Sequence, residues 1–212
     1  YIRLMKQNTE QFNFFIIDGV LADRVENNEP VEVVDIEEIN MAENAVVQTS
    51  SGTTNISKMA YRSNENLYED SANIISTFDY NKNDIVYAAV PLYHGYGLTM
   101  GLIAPIRNGM TIVFERIFMP NRFLQDMKQY EQLIFLGVPE TYQLLSEYIG
   151  NDRFSLKNVK LLICSSSALN KEIGNEIYNK TGKWINQLYG MMEVSTIAAN
   201  LNPNKNNFMS VG

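Results

Sequence analysis

The chain has 212 residues, 45% of them hydrophobic, and carries a formal net charge of −7 from 17 basic and 24 acidic residues. This length and composition suit one large globular domain with a buried core. The charge excludes the basic stripe of a nucleic-acid-binding protein, and a single cysteine, Cys164, excludes a disulfide framework or a cysteine zinc site within one chain. No apolar run approaches the roughly 20 residues that span a bilayer, so we expect no transmembrane segment.

Residues 1–43 read as an acidic lead-in segment with two short predicted strands, "FNFFIID" (12–18) and "VEVVDI" (31–36). The acidic excess indicates a solvated face rather than a docking surface. Because the chain opens at Tyr1 and stops at "MSVG", we expect it to be an internal fragment, and we call the complete protein the full-length parent. No signal peptide is visible and the lone cysteine suits a reducing compartment, so we expect a cytoplasmic location.

Residues 44–212 alternate between strand and helix patterns. The predicted strands are "AVVQT" (45–49), "DIVYAAV" (84–90), "MTIVF" (110–114), "QLIFLGV" (132–138), "VKLLICS" (159–165) and "WINQLYG" (184–190). The predicted helices cover 65–78, 98–106, a segment opening at Pro120, 139–149 and 170–179, and "NLNPNKNNF" (200–208) reads as a surface loop. Apolar strands covered by amphipathic helices predict an α/β fold with a mostly parallel sheet flanked by helices.

Four polar clusters follow predicted strands, where ligands bind in such sheets. The first, "TSSGTTNISK" (49–58), combines hydroxyls, a glycine and a lysine. Backbone amides in a tight turn form an anion cradle, and Gly52 permits close approach of a ligand. The spacing of glycine and lysine excludes a Walker loop. The cluster therefore indicates either a phosphate site or an ordinary polar turn.

The other three clusters also allow structural interpretations. "PLYHGYG" (91–97) holds the only histidine, His94, between an aromatic residue and two glycines. "CSSSAL" (164–169) is equally typical of a site and of a helix entry capped by serine. In "QLYGMMEVS" (187–195), Tyr189 could stack on a base and Glu193 could meet a magnesium ion.

Together, in order and spacing, these clusters resemble the motifs of the acyl-adenylate-forming superfamily, most closely its acyl-CoA synthetases. "TSSGTTNISKMAYRSNENL" resembles the family's phosphate loop TSGTTGxPKG, and "PLYHGYGL" resembles PLFHxxG. "CSSSALNKEI" is similar to GGAPLxxE, "INQLYGMMEV" to QxYGxTE, and the final "SVG" to the start of SVGxPxPG. The resemblance runs from about Ala45 to the last residue and implies the large N-terminal domain of an adenylate-forming enzyme.

The resemblance implies a role for each matching position. His94 would lie at the carboxylate end of the acyl pocket, Lys58 would belong to the phosphate loop, and Glu193 would bind magnesium; these three are the expected catalytic residues. The expected nucleotide- and acyl-binding residues are Ser50, Ser51, Gly52, Thr53, Thr54, Ser165, Ser166, Ser167, Ala168, Asn186, Gln187, Leu188, Tyr189 and Gly190.

Several positions depart from the family pattern. Asn55 and Ser57 replace the loop's second glycine and its proline, and serines replace the glycines of the third motif. Met192 replaces the threonine before the glutamate, and a thioether cannot donate a hydrogen bond to phosphate. These departures put nucleotide affinity or turnover in question.

The family activity implied is ATP-dependent conversion of a carboxylic acid, here a fatty or aryl acid, to an acyl-adenylate, followed by transfer to a thiol such as coenzyme A. ATP, magnesium and coenzyme A are the implied cofactors. The fragment alone is expected to be inactive, because the family's ribose-binding aspartate and mobile C-terminal domain come later. Two alternatives stay open: a carrier-protein-loading adenylation enzyme, and a non-catalytic domain that keeps a nucleotide or acyl pocket.

Overall fold

The computed structural model describes residues 46–50, 58–115, 117–150 and 155–211. The predicted strands at 12–18 and 31–36, and the loop at 51–57, lie outside these ranges. Within them, no helix combines the length and apolar character needed to cross a membrane.

A six-stranded sheet forms the centre of the fold. Its strands are β3 (Ile85–Ala88), β4 (Thr111–Phe114), β5 (Leu133–Gly137), β6 (Val159–Cys164), β7 (Asn186–Met191) and β8 (Ser195–Ala199). They lie in the order β4-β3-β5-β6-β7-β8, and every neighbouring pair is parallel except β7 and β8. The predicted α/β class with a mostly parallel sheet is therefore confirmed.

Among the residues that the structure describes, five helical segments flank this sheet. They are α1 (Asn64–Thr77), α2 (95–107), α3 (Pro120–Asp126), α4 (Pro139–Ile149) and α5 (Lys171–Thr181). Segment α2 is continuous and contains Gly95–Leu98, a π-helical turn at Thr99–Ile103, and Ala104–Arg107. Side chains of α1 and α2 pack on one face of the sheet, and side chains of α3, α4 and α5 pack on the other.

The alternation of side chains along the buried strands divides the core into two layers. Leu133 and Phe135 of β5 face the layer under α3 to α5, whereas Ile134 and Leu136 face the layer under α1 and α2. All four are fully buried, which explains why the strand reads as a continuous apolar run.

Local signals set the ends of several helices. The predicted helix 139–149 matches α4, which has Pro139 at its start and ends before Gly150 with φ of +64°. Helix α1 begins after Ser63, whose hydroxyl accepts from the backbone N–H of Asn66 in a reciprocal capping box. Helix α2 starts at Gly95, three residues earlier than predicted, so that His94 is its N-cap residue.

The strand order reverses between β3 and β5. The chain passes from β3 to β4 on one side, and then returns to place β5 on the other side of β3. The carboxyl ends of β3 and β5 therefore flank a topological switch point, where open α/β sheets bind ligands. The segment after β3 contains His94, and the segment after β5 leads into α4.

Three features differ from the sequence-based expectations. Strand β1 (Val46–Ser50) does not join the parallel sheet; it pairs antiparallel with the unpredicted β2 (Lys58–Arg62) in a separate two-stranded sheet. Strand β8 was also not predicted. The asparagine-rich segment is turn-rich as expected, but Phe208 is buried and its ring lies against Gly174 of α5. The two hairpins join near neighbours in the chain, but which strands they leave or join, and what covers Phe208, depend on the rest of the fold, which local spacing does not reveal.

Candidate functional site

The β1–β2 hairpin closes the candidate phosphate loop. Ser50 and Lys58 lie opposite one another as the last pair of the antiparallel ladder, so they hold the two ends of the loop together. The predicted loop residues Ser51, Gly52, Thr53 and Thr54 lie outside the described residues, as do Asn55 and Ser57. The described backbone thus supplies the base of a loop, and phosphate binding by these side chains stays a prediction.

His94 lies at the start of α2 with its imidazole exposed. Its backbone N–H donates to the Pro91 carbonyl oxygen at 3.2 Å, and its own carbonyl accepts from Leu98 N–H at 2.7 Å. The imidazole makes no capping hydrogen bond to α2, and its ring centre lies 4.9 Å from that of Tyr93. The side chain is therefore available to a ligand at the N-terminus of the helix, where the backbone dipole favours an anion.

Gly97 permits this turn to pack closely. A Cβ atom on Gly97 would lie 2.1 Å from the carbonyl oxygen of Pro91 and 3.2 Å from the Cα of Leu92. Both contacts are with backbone, so the turn that presents His94 requires glycine at this position.

The serine turn follows β6 and leads to α5. Ser165 is buried and its hydroxyl donates to the Leu188 carbonyl oxygen at 3.0 Å. Ser166, Ser167 and Ala168 are exposed, and Ser166 has a left-handed backbone with φ of +78°. Helix α5 is capped by Asn170, whose side chain accepts from the backbone N–H of Glu172 at 2.7 Å. Of the two interpretations of this cluster, the helix entry capped by serine is therefore wrong, and Ser166 and Ser167 lie exposed just after the carboxyl end of β6.

The inner half of β7 connects this turn to the end of the chain. The amide nitrogen of buried Gln187 donates to the Phe208 carbonyl oxygen at 2.7 Å, and its oxygen accepts from Leu169 N–H at 3.3 Å. The side-chain nitrogen of Asn186 donates to the carbonyl oxygens of Asn200 and Leu201 at 2.9 and 3.2 Å. Asn186 and Gln187 thus hold the walls of the site together. Leu188 is buried beside them.

The outer half of the fourth motif is exposed. Tyr189 and Gly190 lie in β7, and Glu193 lies in the turn of residues 192–194 that joins β7 to β8. A bulge in the ladder falls between Tyr189 and Gly190. A Cβ atom on Gly190 would lie 2.5 Å from the Ser195 carbonyl oxygen, so this close approach of the strands requires glycine.

Direct hydrogen bonds join the motifs to one another. The amide nitrogen of Gln48 in β1 donates to the Tyr93 carbonyl oxygen at 2.8 Å. The Tyr96 hydroxyl donates to the Ile163 carbonyl oxygen at 2.9 Å, just before the serine turn. The hydroxyls of Thr99 and Ser195 lie 3.4 Å apart, linking α2 to β8.

A second phenol strengthens the contact at Ile163. Tyr142 of α4 donates to the same carbonyl oxygen at 2.8 Å from the opposite face of the sheet. Burial raises the pKa of both the Tyr96 and the Tyr142 phenols well above the usual range, so both hydroxyls stay protonated and donate. Sequence reasoning missed Gln48, Tyr142 and Ser195, because their partners lie 21 to 96 residues away.

The site contains no activated nucleophile among its described residues. Burial, with a smaller contribution from the Glu140 carboxylate, raises the pKa of the Cys164 thiol to about 12, so the thiol stays protonated. Within the described ranges, no three His, Cys, Asp or Glu side chains gather into a metal cluster. A magnesium ion at Glu193 would therefore take one carboxylate ligand from this part of the protein and its remaining ligands from phosphates and water. Magnesium ordinarily binds with nucleotides in this way.

Comparison with known proteins gives one family. The AMP-binding enzyme family matches residues 8–212. The chain belongs to the AMP-binding enzyme family. A probable 4-coumarate–CoA ligase of Dictyostelium discoideum is 32% identical over 155 residues, which cover 71% of this chain and 28% of that protein. The mitochondrial malonate–CoA ligase of Homo sapiens is 25% identical over 180 residues, covering 78% of this chain and 31% of the ligase.

Solved structures agree with this assignment. The crystal structure of ATP-bound MatB from Rhodopseudomonas palustris matches with a TM-score of 0.68 and 25% identity, over 79% of this chain and 33% of that one. The described fold is therefore that of an AMP-binding enzyme's large N-terminal domain. The chain spans about a third or less of the length of these relatives.

Proposed function

We propose that the full-length parent is an AMP-forming acid–thiol ligase, which joins a carboxylic acid to coenzyme A through an acyl-adenylate. The observation that carries this proposal is the joining of the motifs by hydrogen bonds. The base of the phosphate loop meets the His94 turn through Gln48 and Tyr93, and that turn meets the serine turn through Tyr96 and Ile163. These links support a single site in which the residues expected to bind phosphate, acid and adenine act together.

The proposed reaction has two steps. A carboxylate oxygen attacks the α-phosphorus of ATP, and the bond to pyrophosphate breaks. The thiol sulfur of coenzyme A then attacks the acyl carbon, and AMP leaves while the thiol proton passes to solvent. Because two anions must meet in the first step, catalysis depends on positioning and on neutralising charge rather than on a protein nucleophile. The protonated Cys164 thiol is consistent with such a site.

The described residues have specific tasks under this proposal. The exposed imidazole of His94, at the positive end of α2, orients the acid carboxylate. The Ser50–Lys58 pair holds the loop that binds the β- and γ-phosphates. The exposed residues of the two motifs, Ser166 to Ala168 with Tyr189 and Gly190, form the wall against which adenine packs. Buried Ser165 and Asn186 to Leu188 support this wall from behind. Glu193 is the candidate ligand of magnesium, which supplies charge neutralisation on the phosphates.

The proposed acid is a fatty or aryl acid. Support comes from a relative named as a probable 4-coumarate–CoA ligase. The apolar segment "LTMGLIAPI" (98–106) after His94 would suit an acid with an apolar tail. Its support for the proposal is small, because Leu98 and Met100 are buried in the core rather than free to line a pocket. The relative named as a malonate–CoA ligase makes small dicarboxylic acids the main competitors to test.

A panel of carboxylic acids, assayed with the full-length parent for acid-dependent pyrophosphate release, tests this function. Fatty and aryl acids should support release above the acid-free rate, and the product should be an acyl-CoA when coenzyme A is present. H94A should lower kcat/KM for the acid by about tenfold or more, because a misoriented carboxylate reacts slowly. Binding of ATP without release for any acid would refute the proposal. Loading of a carrier protein but not coenzyme A would favour the adenylation-enzyme alternative.

Met192 favours the second alternative, a domain that binds nucleotide without turnover. It precedes Glu193 in the β7–β8 turn, and its thioether side chain has no N–H or O–H group to donate to phosphate. M192T tests this alternative in the full-length parent. A large gain in pyrophosphate release would indicate a decayed enzyme, whereas an already active parent that gains nothing would dismiss the alternative.

A cytoplasmic location is also proposed, supported by a lone cysteine that lies buried as a free thiol. Cell fractionation tests it, and recovery of the protein in an oxidising compartment would contradict it.

A further inference from the structure

The buried face of the β1–β2 hairpin carries two polar side chains. The hairpin register places Val46 opposite Arg62 and Gln48 opposite Ala60, so these four residues share one face. All four are buried, whereas Tyr61 on the other face is exposed. A buried hairpin face is ordinarily apolar, so the retention of an amide and a guanidinium on it calls for an explanation.

Each of these polar side chains anchors the hairpin to a different part of the fold. The Gln48 amide nitrogen donates to the Tyr93 carbonyl oxygen at 2.8 Å. The Arg62 guanidinium forms an ion pair of 2.8 Å with Asp70 of α1. Because β1 and β2 form a sheet of their own, without backbone pairing to the central sheet, these side chains and the small Val46–Leu67–Leu98 cluster set where the hairpin lies.

Gln48 also carries an atom that costs stability. Its side-chain oxygen is buried, makes no hydrogen bond to any residue the structure describes, and lies 3.7 Å from the position of a Cβ on Gly95, in the first turn of α2. An unsatisfied buried acceptor destabilises the fold, and an apolar residue of similar size would avoid that loss. The position is therefore poorly explained by stability alone.

Gln48 lies close in the chain to the candidate phosphate loop, and the residue that it contacts lies close to His94. Gln48 immediately precedes the candidate phosphate loop (49–58), and it contacts Tyr93, the residue directly before His94. A shift of β1 therefore changes the distance between the phosphate loop and the imidazole directly. Acid and ATP must meet across this distance, and a misplacement of about 1 Å can lower a rate by about 100-fold.

We propose that Gln48 is a positioning residue, which sets β1, and with it Ser50 at the base of the phosphate loop, relative to the His94 turn, so that the acid carboxylate and the α-phosphate are aligned. The donor N–H of the amide is the essential group, because the partner is a carbonyl oxygen. This inference rests on the proposed function for its catalytic consequence. The link between the hairpin and the His94 turn can be tested without catalysis.

The variants are Q48M, which removes the donor at similar size, and Q48E, which keeps the length but places a carboxylate against the Tyr93 carbonyl. The matched control is Q143M, because Gln143 lies exposed on α4 and its amide contacts only Glu147. In the full-length parent, Q48M should lower kcat for adenylate formation by about tenfold or more. Its Tm should be unchanged or higher, Q48E should be less active still, and Q143M should match the wild type.

A double-mutant cycle with H94A separates positioning from a general structural role. If Gln48 acts through the His94 turn, then Q48M should change the rate of H94A by about twofold or less. Equal effects of Q48M in both backgrounds would overturn the proposal, as would wild-type activity of Q48M.

Amide hydrogen exchange provides the readout that does not depend on activity. Q48M should speed exchange in residues 91–98 by about tenfold relative to Q143M, because the turn loses its connection to β1. Unchanged exchange would overturn the proposal even if the parent proved inactive. An inactive parent that shows the expected exchange would refute only the proposed function.

Discussion

Replacement of Gly97 by alanine tests the geometry that presents His94. On an open helix this change would stabilise by about 1 kcal/mol, because alanine has the higher helix propensity. Here the added Cβ would lie 2.1 Å from the Pro91 carbonyl oxygen, 2.9 Å from its carbon and 3.2 Å from the Leu92 Cα. All three atoms are backbone, so the 91–94 turn must move rather than a side chain.

The cost follows from the displacement of that turn. Overpacking of a well-packed site costs about 1–3 kcal/mol. Loss of the hydrogen bond from His94 N–H to Pro91 adds about 1 kcal/mol, so the net loss after the gain in helix propensity is about 2 kcal/mol. For a domain of this size, such a loss lowers Tm by about 4–8 °C.

The control is G95A, two residues earlier in the same helix. Its Cβ would meet only the Gln48 side-chain oxygen, at the ordinary contact distance of 3.7 Å. Urea unfolding of both variants should show G97A about 2 kcal/mol less stable than wild type and G95A within about 0.5 kcal/mol of it. Equal stability of the two variants would refute the reasoning, since it would mean that the turn at Pro91 yields without cost.

Three further predictions concern residues beside the site and at the opposite edge of the sheet. S166G should stabilise the protein by about 0.5–1 kcal/mol in urea unfolding, because relief of the φ of +78° outweighs the entropy glycine adds to the unfolded chain; a loss of stability would contradict this. D84N should lower the free energy of unfolding by about 2 kcal/mol, because it removes the charge of the buried carboxylate that lies 2.8 Å from the Lys160 ammonium. D79N changes the exposed partner of Lys160, at 3.5 Å, and should stay within about 0.5 kcal/mol of the wild type. Similar effects of the two variants would refute the view that only the buried pair stabilises the fold. Burial raises the folded-state pKa of Cys164 to about 12, so above about pH 9 only the unfolded thiol ionises. Between about pH 9 and 12 the free energy of unfolding of the wild type should therefore fall by up to about 1.4 kcal/mol per pH unit more than that of C164A, which keeps the contribution of the buried tyrosines; equal slopes would contradict this.

Local patterns in the sequence were sufficient for the buried elements. Strand β5 was predicted from one continuous apolar run, because both of its faces lie against core. Helix α4 was predicted over its whole length, because proline opens it and Gly150, with its positive φ, ends it. These signals lie within the elements themselves, so no knowledge of distant partners was needed.

The order and spacing of four motifs also identified the family, which residues 8–212 match. The expected site residues divide in the structure into two groups. His94, Tyr189 and Glu193 are exposed to a ligand, whereas Asn186 and Gln187 are buried and use their amides to hold neighbouring segments. Residue type alone did not distinguish these groups, because an amide can bind either a ligand or a carbonyl oxygen of its own chain.

The buried strands, both ends of helix α4 and the family of this protein could therefore be read from the amino-acid sequence, since each depends on residue types at short spacing. Only the tertiary structure decided that β1 leaves the parallel sheet to pair with β2, that β8 runs antiparallel to β7, and that Gln48 meets the His94 turn. A local apolar pattern specifies a strand but not which strand lies beside it, and the buried contact of Gln48 with Tyr93 joins residues far apart in the chain. Whether a polar side chain on a short strand is buried or exposed depends on what the rest of the fold places against it.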